Sequence, residues 1–325
     1  MNTLRILFVR DDTFHYIAKI YWSLQNGLKQ NCELVSYGIN QDFYNPKIKT
    51  YDEIIKLIYG DNNYPDIIIT DFKSINYTFK YKISEKIKNN CLITFILGDF
   101  WNTSTIKLKE ISDKYFDFII TLFYDSFSFH KTISNKFIWC PPSIDPYFFK
   151  DWNLKKEYLI GFLGRGCDNP KDFRYPERYK ITQLLNQKYK NLFYTNKYPG
   201  WGYFKNKNDL VGQNFSQAIN KCEMFISTSG NLKHCNPKYF EIMASGSLLL
   251  AGDCNYLEKN RFTHEFNCIK FKDEKDLISK IDYFRIHKEQ LNNIIYNGLS
   301  TIQKYHLGNI RAKNLISEIK NRFNI

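Results

Sequence analysis

The chain has 325 residues, of which 43% are hydrophobic and 24% charged, enough apolar side chain for a buried core and too much for wholesale disorder. Gly (15) and Pro (9) are scarce, which excludes collagen-like and linker-rich classes, and no apolar run approaches the roughly 20 residues needed to cross a bilayer. The net charge of +13 favours anionic partners, namely nucleotide phosphates, nucleic acid or an acidic membrane surface, although coding bias toward Lys would produce the same balance.

In chain order, residues 4–10 form an apolar, branched run that reads as a first strand. With Arg5 and Arg10 inside it and two aspartates after it, it makes a poor secretory signal and points to the cytosol. Apolar residues at Ile17, Ile20, Tyr21, Leu24 and Leu28 predict a helix over 14–28. A strand at 32–39, a helix at 51–60 and a strand at 65–71 follow. Then come a polar helix near 82–89 and strands at 91–99, 116–123 and 136–142. These strands are nearly continuous apolar runs, the pattern of a parallel sheet covered on both faces. After Pro141-Pro142 the pattern restarts. Strands are predicted at 157–164, 191–196, 222–228, 247–253 and 267–271, with helices at about 176–188, 213–221 and 237–245. Helices at about 274–285, 287–304 and 308–323 close the chain. The fold class is α/β, two Rossmann-like domains over 1–150 and 151–325, with the last helix expected to pack back on the first domain. Ligands in such sheets bind beyond the carboxyl ends of the strands, so the site is expected in a cleft between the halves.

The eight cysteines contain no C-x-x-C pair, so neither a zinc ribbon nor a dithiol redox site is indicated; buried free thiols are expected. Asp11 and Asp12 are adjacent and would point to opposite sides if extended, so they make no convincing metal pair.

The most informative segment runs from Asn236 to Gly246. Asn is a favoured N-cap, Pro237 a favoured first helical residue and Gly246 a favoured terminator, which predicts a short helix pinned after a strand. Its amino end would offer N–H groups and positive dipole to a diphosphate. Lys238 adds a cation, and Tyr239 shares the same turn. Glu241 could accept from both hydroxyls of a ribose diol, or could simply complement the helix dipole. Gly164 and Arg165 follow a strand, where a phosphate could approach the backbone and be gripped by the guanidinium, or where the glycine merely makes a turn. Tyr198 and Trp201 could stack a base.

The run from about 222 to 320 resembles the C-terminal domain of group 1 glycosyltransferases of GT-B architecture, in particular the branch named for the spore-maturation protein CgeB. The likeness is carried by Lys238-x-Phe240-Glu241-x-x-Ala244-x-Gly246 and the apolar Leu248–Leu250 behind it. Leu257-Glu258, Asp273, Asp276-Leu277, His306 and Arg311 follow in order. Gly164-Arg165 and Pro141-Pro142 with Asp145 at the hinge also suit it. The resemblance implies that the C-terminal domain binds a nucleotide-sugar donor, a UDP- or GDP-sugar, with Glu241 on the ribose. Arg165, Lys238 and the amides near Asn236 and Tyr239 would sit on the diphosphate. It implies no metal, and transfer to a hydroxyl acceptor such as a glycan or a lipid-linked sugar. Lys238 stands where the family commonly has Arg, and residues 229–234 lack the acid that many retaining relatives carry there, so stereochemistry stays open.

On the acceptor side, Asp99 ends a strand beside Phe100-Trp101, and His15 follows the first strand. Either could act as a base on an acceptor hydroxyl. Asp71 and Asp125 are equal in kind but lack the aromatic neighbours. The alternatives are a transferase acting on nucleic acid, motivated by the charge, and a non-catalytic carbohydrate- or nucleotide-binding protein on the same scaffold. Lys19, Lys29, Lys80, Lys82, Lys86 and Lys88 interleave with Tyr21, Trp22, Phe79 and Tyr81, a mixture suited to peripheral attachment to an anionic membrane or to a plain solvated face.

Overall fold

The computed structural model describes residues 3–73, 76–197, 199–200, 202–203, 206 and 208–325. The chain divides into two compact units, the first made of Met1–Phe14, Leu24–Pro141 and Gly308–Ile325, the second of His15–Ser23 and Pro142–Leu307. The main break therefore follows Pro141, ahead of the position near 150 suggested by the sequence.

The first unit is built from β1 (Arg5–Val9), α1 (Ile20–Lys29, whose first turn belongs to the second unit), β2 (Glu33–Tyr37), α2 (Tyr51–Tyr59) and β3 (Ile67–Thr70). A small antiparallel hairpin follows, β4 (Phe72–Lys73) and β5 (Thr78–Phe79). Then come α3 (Glu85–Lys88), β6 (Leu92–Leu97), α4 (Thr105–Tyr115), β7 (Ile119–Thr121), α5 (Asp125–Phe129) and β8 (Phe137–Trp139). The six main strands form a parallel sheet in the order β2-β1-β3-β6-β7-β8. Pairs such as Ile6 with Ile67 and Ile68 with Ile93 set its register. All four residues of β3 are buried, which is why three isoleucines run together in it. Helix α2 starts where a capping box starts it: the Thr50 hydroxyl accepts from Glu53 N–H while the Glu53 carboxylate accepts from Thr50 N–H.

The helix predicted from residue 14 begins only at Ile20. Asp12 Oδ1 accepts from Phe14 N–H at 2.8 Å, and the Ile17 N–H reaches the Gly202 carbonyl at 2.8 Å, so competing bonds hold this stretch in turns despite its apolar spacing.

The second unit contains β9 (Tyr158–Gly161), α6 (Pro176–Tyr189), β10 (Phe193–Tyr194), α7 (Gln213–Asn220), β11 (Cys222–Ser227), α8 (Pro237–Ala244), β12 (Leu248–Ala251), β13 (Ile269–Lys270), α9 (Glu274–Ile286) and α10 (Lys288–Tyr305). Its five strands are again parallel, in the order β10-β9-β11-β12-β13. Ile160, Met224, Ile226, Leu248 and Leu250 pack with Ile181, Leu185, Leu277 and Ile281 of the covering helices. Gly161 is a packing glycine: a Cβ there would run into the Phe225 ring and the Cys222 sulfur.

The final helix, α11 (Gly308–Phe323), belongs to the first unit, where the Phe323 ring lies 5.2 Å from that of Phe118 and Arg322 Nη1 donates to the Phe137 carbonyl at 3.1 Å. All eight cysteines are free, and seven of them are buried. Burial pushes the Cys32 and Cys222 thiols up to about 12, which makes them unreactive core groups.

Candidate active site

At the carboxyl edge of the second unit's sheet, the loops after β9, β11 and β12 meet the amino end of α8. Asn236 caps that helix. Its Oδ1 accepts from Lys238 N–H at 3.1 Å, and its Nδ2 donates to the Thr228 carbonyl at 3.1 Å. The side chain is thereby used to tie the helix start to the end of β11. Gly246, with φ +70, terminates α8 as its sequence predicts.

Lys238 projects from the first turn and donates to the Leu163 carbonyl. Its ammonium and the guanidinium of Arg178 converge over Gly164. Arg178, in the first turn of α6, is only 5% exposed. Its Nε donates to Thr228 Oγ1 at 2.9 Å and its Nη1 to the Arg165 carbonyl at 3.0 Å. Its Nη2 donates to the Thr228 carbonyl, and its carbon centre lies 3.6 Å from the centroid of the Tyr175 ring. One buried cation thus locks the ends of β9 and β11 together beside a second cation.

The electrostatics follow from that packing. Burial and the neighbouring Arg178 charge draw Lys238 down to about 8, and burial pushes Glu241 up to about 7 against the pull of Lys238. Two cations and one carboxylate share a confined space, and positive charge is in excess. Such a site gains most from an anion that brings two or more oxygens.

Arg165 ion-pairs with Asp172, Nε to Oδ2 at 2.6 Å, which fixes its direction. Burial raises the Asp172 carboxyl, but the Arg165 hydrogen bond and the Arg174 and Tyr175 amides overcome it and hold the carboxyl below its usual range. The Tyr239 side chain is fully buried, with its hydroxyl donating to the Gly252 carbonyl at 3.2 Å, so only its backbone amide, in the first turn of α8, lies at the helix end expected to face a ligand. It lies on the same helix face as Phe240, Ile242 and Met243, which covers the sheet. The structure therefore brings Lys238 to Gly164 and Glu241 near Lys238, places Arg165 next to Gly164 in the same loop and turns the Tyr239 side chain inward. Arg178 was missed because nothing in its local sequence separates it from the other basic residues of a polar helix.

The acceptor-side candidates fall in different units. Asp99 is exposed after β6, at the start of a 3-10 turn over Phe100–Asn102, and its side chain does not cap that turn. Of the aromatic pair beside it, Phe100 is buried and Trp101 is half-buried, packed on it with ring centroids 5.0 Å apart. His15 is exposed and belongs to the second unit. Asp125 is buried. Asp71, directly after β3, is half-buried; burial raises its carboxyl, opposed by Arg10, and the charge of Asp11 adds to the rise. Tyr198 and Trp201 lie outside the described residues.

Among the described residues, no three His, Cys, Asp or Glu side chains are grouped to hold a metal ion, and no helix is long and apolar enough to cross a membrane. Of the lysine–aromatic mixture considered for a membrane surface, Lys19 and Tyr81 are buried, with Lys19 Nζ 4.6 Å over the Phe148 ring, while Lys29, Lys80, Lys82 and Lys86 are exposed.

Residues 178–317 match a family model described as glycosyl transferase-like. The chain has the GT-B fold. Anabaena HepE in complex with UDP-glucose superposes with a TM-score of 0.63 at 10% identity, covering 97% of this chain and 99% of that one. A sucrose-phosphate synthase from Thermosynechococcus elongatus gives 0.59 at 10% identity, covering 99% of each chain. An α-glucosyltransferase in complex with UDP-glucose and DNA containing an abasic site gives 0.62 at 14% identity, covering 97% of this chain and 98% of that one. None of the curated proteins matches the chain in sequence.

Proposed function

We propose that this glycosyltransferase-like chain binds a UDP- or GDP-sugar at the carboxyl edge of its second unit and transfers the sugar to an acceptor hydroxyl. The observation that carries the reading is the pair of cations, Lys238 and Arg178, closing on Gly164 beside the amino end of α8. When the glycosidic bond to the donor breaks, negative charge accumulates on the departing nucleoside diphosphate. Fixed ammonium, guanidinium and helix-end dipole stabilise that charge, and they do so more strongly in the transition state than in the bound donor. Arg165, oriented by Asp172, adds a second guanidinium at the same loop. Asn236 contributes by holding the helix end in place, and Glu241 takes the ribose diol. With this charge supplied by side chains, the reaction is proposed to need no divalent metal.

Asp99, His15 and Asp71 are the proposed candidates for accepting the acceptor proton, and burial raises the Asp71 carboxyl above its ordinary value. The CgeB-like affiliation is kept as part of this proposal, as is a cytoplasmic location. A nucleic-acid acceptor is the second reading, favoured by the net charge of +13 and by the DNA complex of one protein with the same fold. The first reading is tested by incubating the protein with UDP- and GDP-sugars and following release of the nucleoside diphosphate. Release that is lost in Lys238→Ala supports it, and absence of release with every donor contradicts it. The second predicts DNA or RNA binding that weakens steeply with salt.

A further inference from the structure

The first unit carries a groove of about 570 Å³ lined by Lys49, Lys80, Lys82, Phe79, Tyr81 and Tyr115, with Ile83 completing it. Its walls are fixed by the fold. The Lys82 N–H donates to the Lys49 carbonyl and the Tyr51 N–H to the Lys82 carbonyl, both at 3.0 Å, so Lys49 and Lys82 are held on adjoining extended segments. The aromatic side is anchored in the core: Phe79 lies 5.0 Å from Tyr115 and 4.8 Å from Phe72, centroid to centroid. Lys88 and Lys114 approach the Tyr115 ring, at 5.5 and 5.1 Å.

The place in the sheet is informative. Lys80 Nζ pairs at 2.5 Å with Asp11, two residues after β1, and its charge also reaches Asp71, directly after β3. Through Lys80 one side of the groove thus reaches the carboxyl ends of β1 and β3, where the strand order β2-β1-β3 reverses direction and open parallel sheets take ligands, while Tyr115, which closes α4 just ahead of β7, forms another wall. Residues 72–90 contain five lysines and a single acid, Glu85, which is itself bound to Lys88 at 2.8 Å.

We propose that this groove binds a phosphate-bearing saccharide, and that such a molecule is the acceptor; the word acceptor rests on the transferase reading above. Clustered ammonium groups favour an anion over a neutral sugar, and aromatic faces favour a ring with apolar C–H edges. The volume lies within the range of small-ligand sites and exceeds what a lone phosphate would fill.

The test uses the full chain with UDP present at saturation, so that the second unit's anion site is occupied. Binding of glucose 6-phosphate, glucose, inorganic phosphate and an oligothymidylate is measured by titration into the millimolar range, for the wild type and for Lys49→Gln/Lys82→Gln. The expected result is that glucose 6-phosphate binds more tightly than either glucose or phosphate, and that the double variant weakens it roughly tenfold. UDP affinity and melting temperature should be unchanged. Equal binding of glucose and its phosphate, no binding, or no effect of the double variant overturns the proposal. Tighter binding of the oligothymidylate at the same lysines overturns it in favour of nucleic acid. If UDP binds normally while the sugar phosphate does not, only the groove assignment fails. If no nucleotide binds, the transferase reading fails, and the response of sugar-phosphate binding to the lysine substitutions then decides the groove by itself.

Discussion

Lys238 and Arg178 meet over Gly164, where a Cβ would lie 2.7 Å from the ammonium nitrogen and 2.9 Å from Nη1 of the guanidinium. The glycine leaves room for both cations, in the space that a side chain would otherwise take. Gly164→Ala should leave the fold intact, since the flexible Lys238 ammonium can retreat, but the displaced charge should weaken UDP-sugar binding roughly tenfold. Calorimetric titration alongside a melting curve separates the two effects.

Gly161, three residues earlier, should behave in the opposite way. A methyl group there meets the Phe225 ring and the Cys222 sulfur in the core, so Gly161→Ala should destabilise the protein by about 1–3 kcal/mol through overpacking. Denaturant midpoints measure this. A loss of nucleotide affinity with unchanged stability would instead place Gly161 at the site.

On the proposed reading, Lys238→Ala removes an ammonium from beside the departing diphosphate. It should lower kcat on the order of 100-fold. Lys238→Arg should retain more activity than alanine, because the charge persists even though its position shifts. Steady-state kinetics with saturating donor provides the comparison.

The pH dependence has a definite sign on each side. Diphosphate binding favours the protonated amine of Lys238, held at about 8 in the free protein, so affinity should fall as pH rises through that value. Ribose hydroxyls favour ionised Glu241, raised to about 7, so affinity should fall as pH drops through that value. A bell-shaped profile of kcat/KM is expected, with its acid limb moved or removed by Glu241→Gln. A flat profile from roughly one unit below the Glu241 value to roughly one unit above the Lys238 value would contradict both assignments.

Much of the architecture was legible in the sequence because it rests on local rules. The parallel strands announce themselves as continuous apolar runs, and Asn236, Pro237 and Gly246 mark the ends of α8 as capping chemistry requires. What escaped depends on contacts distant in sequence. Arg178 is one of many basic residues until the fold sets it against Thr228, 50 positions away. Tyr239 reads as part of a binding turn, yet its face of α8 belongs to the core, which a short helix with mixed apolar residues does not reveal. The β4–β5 hairpin went unread because its strands are only two residues each. The 14–19 stretch has helical spacing but is governed by the Asp12 side chain and a distant carbonyl.

The central claim is that the carboxyl edge of the second unit grips a sugar-linked nucleoside diphosphate through α8 and its cations. Titration calorimetry of UDP-glucose and GDP-mannose into the wild type and Glu241→Ala tests it most directly. The account predicts saturable one-to-one binding of at least one donor to the wild type, weakened on the order of tenfold or more in the variant without loss of fold. Equal affinity of the two proteins, or no binding of either nucleotide to the wild type, would contradict it.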